Sequence, residues 1–124
     1  MNSSALTTSQ SCQTLTDWLA FIEQSHPIDQ IELGLARVQR VAERGALQQL
    51  PGIKILVAGT NGKGSSARCL EQLLLAQGYS VGVYTSPHLL KFNERLRING
   101  VDAADALWVA GLSTVEKLRA DVPL

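Results

Sequence analysis

The chain has 124 residues, 45% hydrophobic, 18% charged and 5% aromatic, a globular composition with room for one domain and none for a large two-domain enzyme. Eleven basic and eleven acidic side chains cancel, so net charge points to neither nucleic acid nor an anionic membrane as partner. The balance hides a split: residues 1–36 carry −4 and the other 88 carry +4, which places any anionic ligand in the later part.

Cys12 and Cys69 stand 57 positions apart with no paired-cysteine motif and no metal-ligand spacing, as in a reducing compartment. Residues 1–13 are rich in Ser, Thr and Gln and lack the basic start and the apolar run of roughly 7–15 residues that a secretory signal needs. They are expected to form a disordered tail. The longest uncharged apolar stretch, residues 106–115, is half the length of a membrane span of about 20 residues. The expectation is a cytoplasmic protein with no membrane partner.

From Thr14 onward, Leu15, Trp18, Leu19 and Ile22 recur at helical spacing, with Thr14 or Thr16 as cap, until Ser25-His26-Pro27 interrupts them. Leu35, Val38, Val41 and Ala42, with Arg37, Arg40, Glu43 and Arg44 opposite, predict a second helix that stops at Gly45 in a left-handed cap. After the Pro51-Gly52 turn, residues 53–58 (IKILVA) form a short apolar run bounded by glycines, as expected of a strand buried on both faces of a parallel sheet. Beyond the loop at 59–64, Leu70, Leu73 and Leu74 predict a helix ending at Gly78, and residues 79–85 (YSVGVYT) a second strand. Strand, loop, helix and strand thus fill 53–85, the length of one right-handed βαβ unit. Leu96-Arg97-Ile98 meets the turn pair Asn99-Gly100, which predicts a hairpin over 95–102. Asp102 with Asp105 then opens a last helical pattern of Leu107, Gly111, Val115 and Leu118, and Trp18 and Trp108 fall on core positions. Two strands do not make a stable α/β sheet. The chain therefore reads as the opening portion of a longer protein, the alternative being a small domain completed by oligomerisation.

The segment Gly59-Thr60-Asn61-Gly62-Lys63-Gly64-Ser65 lies between the first predicted strand and a helix, where backbone N–H groups and the helix dipole favour phosphate. Its three glycines let successive amides wrap a triphosphate, and Lys63 reaches the β and γ phosphates as a point charge. Ser65 or Ser66 can offer a hydroxyl to Mg²⁺. The spacing departs from G-x-x-x-x-G-K-[ST], because Gly64 takes the place of the hydroxyl residue after Lys63. A plain tight connection is the bland reading. A dinucleotide site is the sharper rival, since residues 62–67 satisfy G-x-G-x-x-A, but residues 79–93 lack the acid that would hold a ribose.

That loop, followed by Gly78-Tyr79-Ser80-Val81-Gly82-Val83-Tyr84-Thr85-Ser86-Pro87-His88-Leu89 and Glu94-Arg95-Leu96-Arg97-Ile98-Asn99-Gly100, resembles folylpolyglutamate synthase and dihydrofolate synthase, amide-forming ligases of the Mur ligase family. The likeness runs back to Ile31-Glu32-Leu33-Gly34-Leu35-Ala36-Arg37-Val38, a form most similar to the bacterial bifunctional enzyme. It implies an α/β fold, an incomplete P-loop NTPase-like parallel sheet with helices on both faces. Residues 14–124 would be the N-terminal part of the ATP-binding domain, without the C-terminal domain.

The resemblance implies ATP and Mg²⁺ as cofactors. Gly59, Thr60, Asn61, Gly62, Lys63, Gly64 and Ser65 would hold the phosphates, Lys63 would act in catalysis, Ser86 with Ser65 would meet the metal, and Ile31, Glu32 and Leu33 would border the pteroate site. L-glutamate would be joined to dihydropteroate, tetrahydrofolate or both through an acyl phosphate, by a protein that is monomeric at full length and binds no nucleic acid. This portion alone is expected to be inactive; a non-catalytic nucleotide-binding module working with another chain is the second reading, and an NAD(P)-binding oxidoreductase fragment the third. His88 is assigned no chemistry. Lys91, Arg95 and Arg97 suit a polyanionic folate tail or a solvated face partly paired with Glu94.

Overall fold

The computed structural model describes residues 9–25 and 34–124, which divide into two compact units: residues up to 51 together with 105–124, and residues 52–104.

The first unit is helical. A 3-10 turn at Ser9–Ser11 leads into α1 (Leu15–Ser25); α2 (Ala36–Arg44) and α4 (Asp105–Arg119) follow. At the start of α1 the Asp17 amide donates to Thr14 Oγ1 (3.2 Å), while Asp17 Oδ2 accepts from the amides of Thr14 (3.0 Å) and Gln13 (3.1 Å). This reciprocal cap satisfies donors that the first turn leaves unpaired, and it holds the Asp17 carboxyl below its usual range. Helix α4 packs on both α1 and α2, around a core of Leu15, Trp18, Val41 and Val122. Arg44 of α2 donates to the carbonyls of Leu118 (2.9 Å) and Arg119 (3.0 Å), placing a cation on the orphan carbonyls at the end of α4.

Helix α2 ends where expected, by a different device. Gly45 keeps φ −95°, and the left-handed position falls on Ala46 at φ 53°. What Gly45 supplies is clearance, since a Cβ there would lie 2.5 Å from Leu118 Cδ1.

The second unit contains α3 (Lys63–Ala76) and a three-stranded sheet of β1 (Gly82–Tyr84), β2 (Leu96–Ile98) and β3 (Val101–Asp102). The order is β1-β2-β3 and both pairings are antiparallel, with Val83 opposite Arg97 and Ile98 opposite Val101. The hairpin forms at Asn99-Gly100, whose φ values of 50° and 83° suit a two-residue turn. Asn99 Oδ1 also accepts from the Val81 amide (2.8 Å) and from Ser80 Oγ (3.2 Å), which ties the turn to the approach of β1.

The α/β class expected from the sequence holds, but the strands within this chain differ from the expected parallel pair. Residues 53–58 are extended, yet no backbone hydrogen bond joins them to another described residue, and Ile53 and Leu56 are 95% and 93% exposed. The second expected strand shrinks to Gly82–Tyr84 and pairs with the hairpin instead. The reason is locality: a two-residue turn brings β2 and β3 together at low loop-closure cost, whereas a central parallel strand exists only when neighbours flank it.

Candidate phosphate-binding site

The loop at 59–62 turns directly into α3. Gly62 is the cap residue at φ 75°, ψ 6°, a left-handed conformation that costs a residue with a Cβ about 1–2 kcal/mol. The first helical bond outside the regular ladder is Ser66 N–H to Gly62 C=O at 2.9 Å. The N–H groups of Lys63, Gly64 and Ser65 come before it, no side chain caps them, and the first turn holds no acid. All these residues are exposed, so uncapped donors and the positive end of the helix dipole meet solvent together. Lys63 folds back, its Nζ donating to the Gly59 carbonyl.

Within the same unit, Lys63 and Gly64 share the wall of a groove of about 770 Å³ with Thr85 and Ser86. Ser86 stands in the bend after β1, joined to Pro87 by a cis peptide bond. The fold thus brings Ser86, 23 residues from Lys63 in sequence, to the wall of the same groove. Ser65, the other metal-ligand candidate, lies exposed on the first turn of α3 and off the groove wall, as do Thr60 and Asn61 of the loop. Ile31, Glu32 and Leu33 lie outside the described residues.

Two members of the basic run beyond β1, Arg95 and Arg97, are committed to structure. Arg95 Nε donates to His88 Nδ1 (3.0 Å), and its guanidinium lies 5.0 Å from the centroid of Phe92, whose ring also meets the His88 ring edge-on at 5.7 Å. Arg97 donates to Glu71 Oε2 (3.0 Å), Asp102 Oδ1 (3.2 Å) and the Gly100 carbonyl (2.8 Å). Glu94 does not pair with the run; its carboxylate accepts from the amides of Leu89 (3.0 Å), Leu90 (2.9 Å) and Lys91 (2.7 Å). The bonds from Leu89, Lys91 and Leu90 hold that carboxyl below its usual range.

Glu71 was not singled out by the sequence, although a signal existed. Ala67, Leu70 and Leu74 form an apolar stripe at i, i+3 and i+7, and Glu71 falls inside it. It is 1% exposed, with Arg97 on one carboxylate oxygen and Arg68 on the other. Burial pushes its carboxyl up, but the two arginines outweigh that and hold it below the usual range.

No protein-family model matches the chain. The dihydrofolate synthase/folylpolyglutamate synthase of Escherichia coli K12 is 43% identical over 118 residues, 94% of this chain and 28% of that protein. The Haemophilus influenzae protein of the same name is 43% identical over 107 residues, 86% of this chain and 24% of that one. The chain is homologous to the N-terminal part of these synthases. It spans about a quarter of the length of the curated relatives it matches. Among solved structures, Escherichia coli FolC in complex with DHPP and ADP superposes with a TM-score of 0.87 at 41% identity, over 94% of this chain and 28% of FolC. The bifunctional synthase of Yersinia pestis complexed with AMPPNP and Mn ion gives 0.85 at 46%, over 94% and 28%. The neighbours have the Mur ligase fold, so the expected α/β class and the likeness to the bifunctional synthases are both borne out.

Proposed function

We propose that this chain is the phosphate-binding part of an ATP-dependent ligase that joins L-glutamate to dihydropteroate, tetrahydrofolate or both in folate biosynthesis. The observation that carries the reading is the uncapped N-terminus of α3, with Lys63 at its first position and Ser86 on the wall of the same groove. Homology to synthases solved with ADP, with AMPPNP and with Mn supports it.

In this reading the amides of Lys63, Gly64 and Ser65 bind phosphate oxygens, and Lys63 releases the Gly59 carbonyl to place its charge on the transferring phosphoryl group. These groups orient the γ-phosphate toward a substrate carboxylate and offset the charge that develops as it moves, which is most of what a protein contributes to phosphoryl transfer. The glutamate amine then displaces phosphate from the acyl phosphate. Among the described residues no group of three His, Cys, Asp or Glu could hold a metal ion. The hydroxyl donors present still fit Mg²⁺ at a nucleotide, because that ion takes most of its oxygens from phosphate and water; Ser86 and Ser65 are the residues that would meet it. When bound, Mg²⁺ supplies charge neutralisation at the β and γ phosphates.

No helix among the described residues is long and apolar enough to cross a membrane. A cytoplasmic setting, and a monomer at full length, belong to the same proposal. Because the chain spans a quarter of its relatives, it is expected to bind nucleotide without sustaining ligation.

Calorimetric titration of Mg-ATP into the full 124-residue chain tests the reading. Binding is expected, and Lys63→Ala should weaken it about ten- to a hundredfold through loss of a charge-assisted contact. Equal affinity in the variant would remove the phosphate-loop assignment, and binding of NAD without Mg-ATP would favour a dinucleotide site.

A further inference from the structure

The amides that open α3 and the hydroxyl of Ser86 belong to different elements of the second unit, and a buried pair joins those elements. Residues 77–81 connect α3 to β1, so Lys63 stands about 20 Å along the helix from that connection, and Ser86 four residues past the start of β1. Midway lies Glu71, the one buried residue of α3, eight positions or about 12 Å of helix from Lys63. Its partner Arg97 stands opposite Val83 on β2, and Val83 is three positions or about 10 Å of strand from Ser86. Pairing between these strands continues through the Thr85 N–H bond to the Arg95 carbonyl (2.9 Å), one residue short of Ser86. Both side chains of the pair are fixed in orientation, since Arg97 also donates to Asp102 and the Gly100 carbonyl, and Arg68 takes the other oxygen of Glu71. A shift of α3 along the sheet would therefore break the Arg97–Glu71 bond or pull the guanidinium from the hairpin.

We propose that Glu71 and Arg97 are positioning residues for the nucleotide site, their pair setting the separation between the α3 amides and Ser86. This role rests on the phosphate-loop reading and adds to it a division of labour. The contacts to phosphate come from α3 alone, so they survive a displacement of the sheet. A metal ion carried on the phosphates meets Ser86 only when helix and strand keep their spacing. Mg²⁺ takes its oxygens at about 2.1 Å in near-octahedral order and tolerates little departure, so a small slip of α3 is enough to lose the serine. Binding of ATP without metal then depends on α3, whereas the part of the Mg²⁺ gain that comes from Ser86 depends on the pair.

The test is a double-mutant cycle between the pair and Ser86, read by calorimetry in the 124-residue chain with ATP titrated in Mg²⁺ and in EDTA. Glu71→Leu together with Arg97→Leu removes the directed bonds and extends the apolar stripe of Leu70 and Leu74, an exchange that buried ion pairs often tolerate. In the native background Ser86→Ala is expected to weaken Mg-ATP several-fold and to leave ATP in EDTA unchanged. In the doubly substituted background the same change should cost less than about twofold. Lost stability cannot imitate this result, because a partly unfolded chain scales every apparent dissociation constant by one folded fraction and leaves their ratio alone. Arg97→Lys, which keeps a cation on Glu71, should recover part of the Ser86 effect. Glu71→Gln, close to the native shape, reads the same coupling if the double substitution does not fold. An undiminished Ser86 effect in the folded variants, or no Ser86 effect in the native chain, would overturn the positioning role and leave the phosphate loop standing. Absence of Mg-ATP binding by the native chain would overturn the phosphate-loop reading and this role with it.

Discussion

Arg97 on β2 donates its Nε to Glu71 of α3 at 3.0 Å, across 26 positions of sequence, onto a carboxylate whose side chain is fully buried. The same guanidinium reaches Asp102 and the Gly100 carbonyl, so one side chain fixes the hairpin and anchors it to the helix. Glu71→Ala strands two arginines and is expected to destabilise the second unit by about 3 kcal/mol, the low end for breaking a buried pair because Arg97 and Arg68 keep some contact with water. Chemical denaturation followed by circular dichroism measures it.

The same pair sets an acid limit. The folded-state pKa of Glu71 lies below its unfolded value, so its contribution is fully present above the ordinary glutamate range and is lost as pH falls through the lowered folded value. Stability should drop on acidification below about pH 4.5, the ordinary glutamate value, and Glu71→Gln should flatten that part of the profile. An unchanged pH profile in the variant would assign the acid sensitivity elsewhere.

Glu94 organises the turn after Ser86. Glu94→Ala releases the amides of Leu89, Leu90 and Lys91 together, and hydrogen exchange at these three positions is expected to accelerate while α1 and α2 keep their rates. In the wild type the same amides should lose protection in acid, since the Glu94 pKa is lowered on folding.

The two serines offered for the metal should separate. Ser86 lines the groove with Lys63 and Ser65 does not, so Ser86→Ala is expected to weaken Mg-ATP binding several-fold, consistent with about 1 kcal/mol for one hydroxyl contact, with a smaller change for Ser65→Ala. Titrations with and without Mg²⁺ read the difference. A larger loss from Ser65→Ala would move the metal to the first turn of α3.

Two neighbouring substitutions at the end of α2 should have opposite signs. Gly45→Ala puts a Cβ 2.5 Å from Leu118 Cδ1 and is expected to cost about 1 kcal/mol by overpacking, tempered by the freedom of a leucine tip. Ala46→Gly relieves a left-handed φ of 53° and is expected to stabilise by up to about 1 kcal/mol. Thermal unfolding of both variants beside the wild type decides.

What the sequence revealed followed how local the causes were. Thr14 as a cap, the Asn99-Gly100 hairpin and the helix beginning at the glycine loop each depend on residues within a few positions, and all three stand in the structure. The strand expected at 53–58 did not form, because strand identity belongs to a pair and an apolar run cannot state whether its neighbour is present. Glu94 was read as a partner for the basic run because charge pairing is visible in sequence, whereas three backbone amides converging on a carboxylate are not. That Lys63 and Ser86 line one groove lay beyond composition and spacing, which say nothing about which strand end returns to which loop; the placing of both at one nucleotide came from family likeness alone.

The contact between Lys63 and the Gly59 carbonyl gives the free loop an internal competitor. In the proposed function, an arriving anion must win the ammonium from a carbonyl of its own chain before it gains that charge. Weakly charged anions make the exchange poorly and a polyphosphate makes it well. That cost is the same for every anion that takes the ammonium, so it lowers affinity alike and leaves discrimination to the charge and contacts each anion brings.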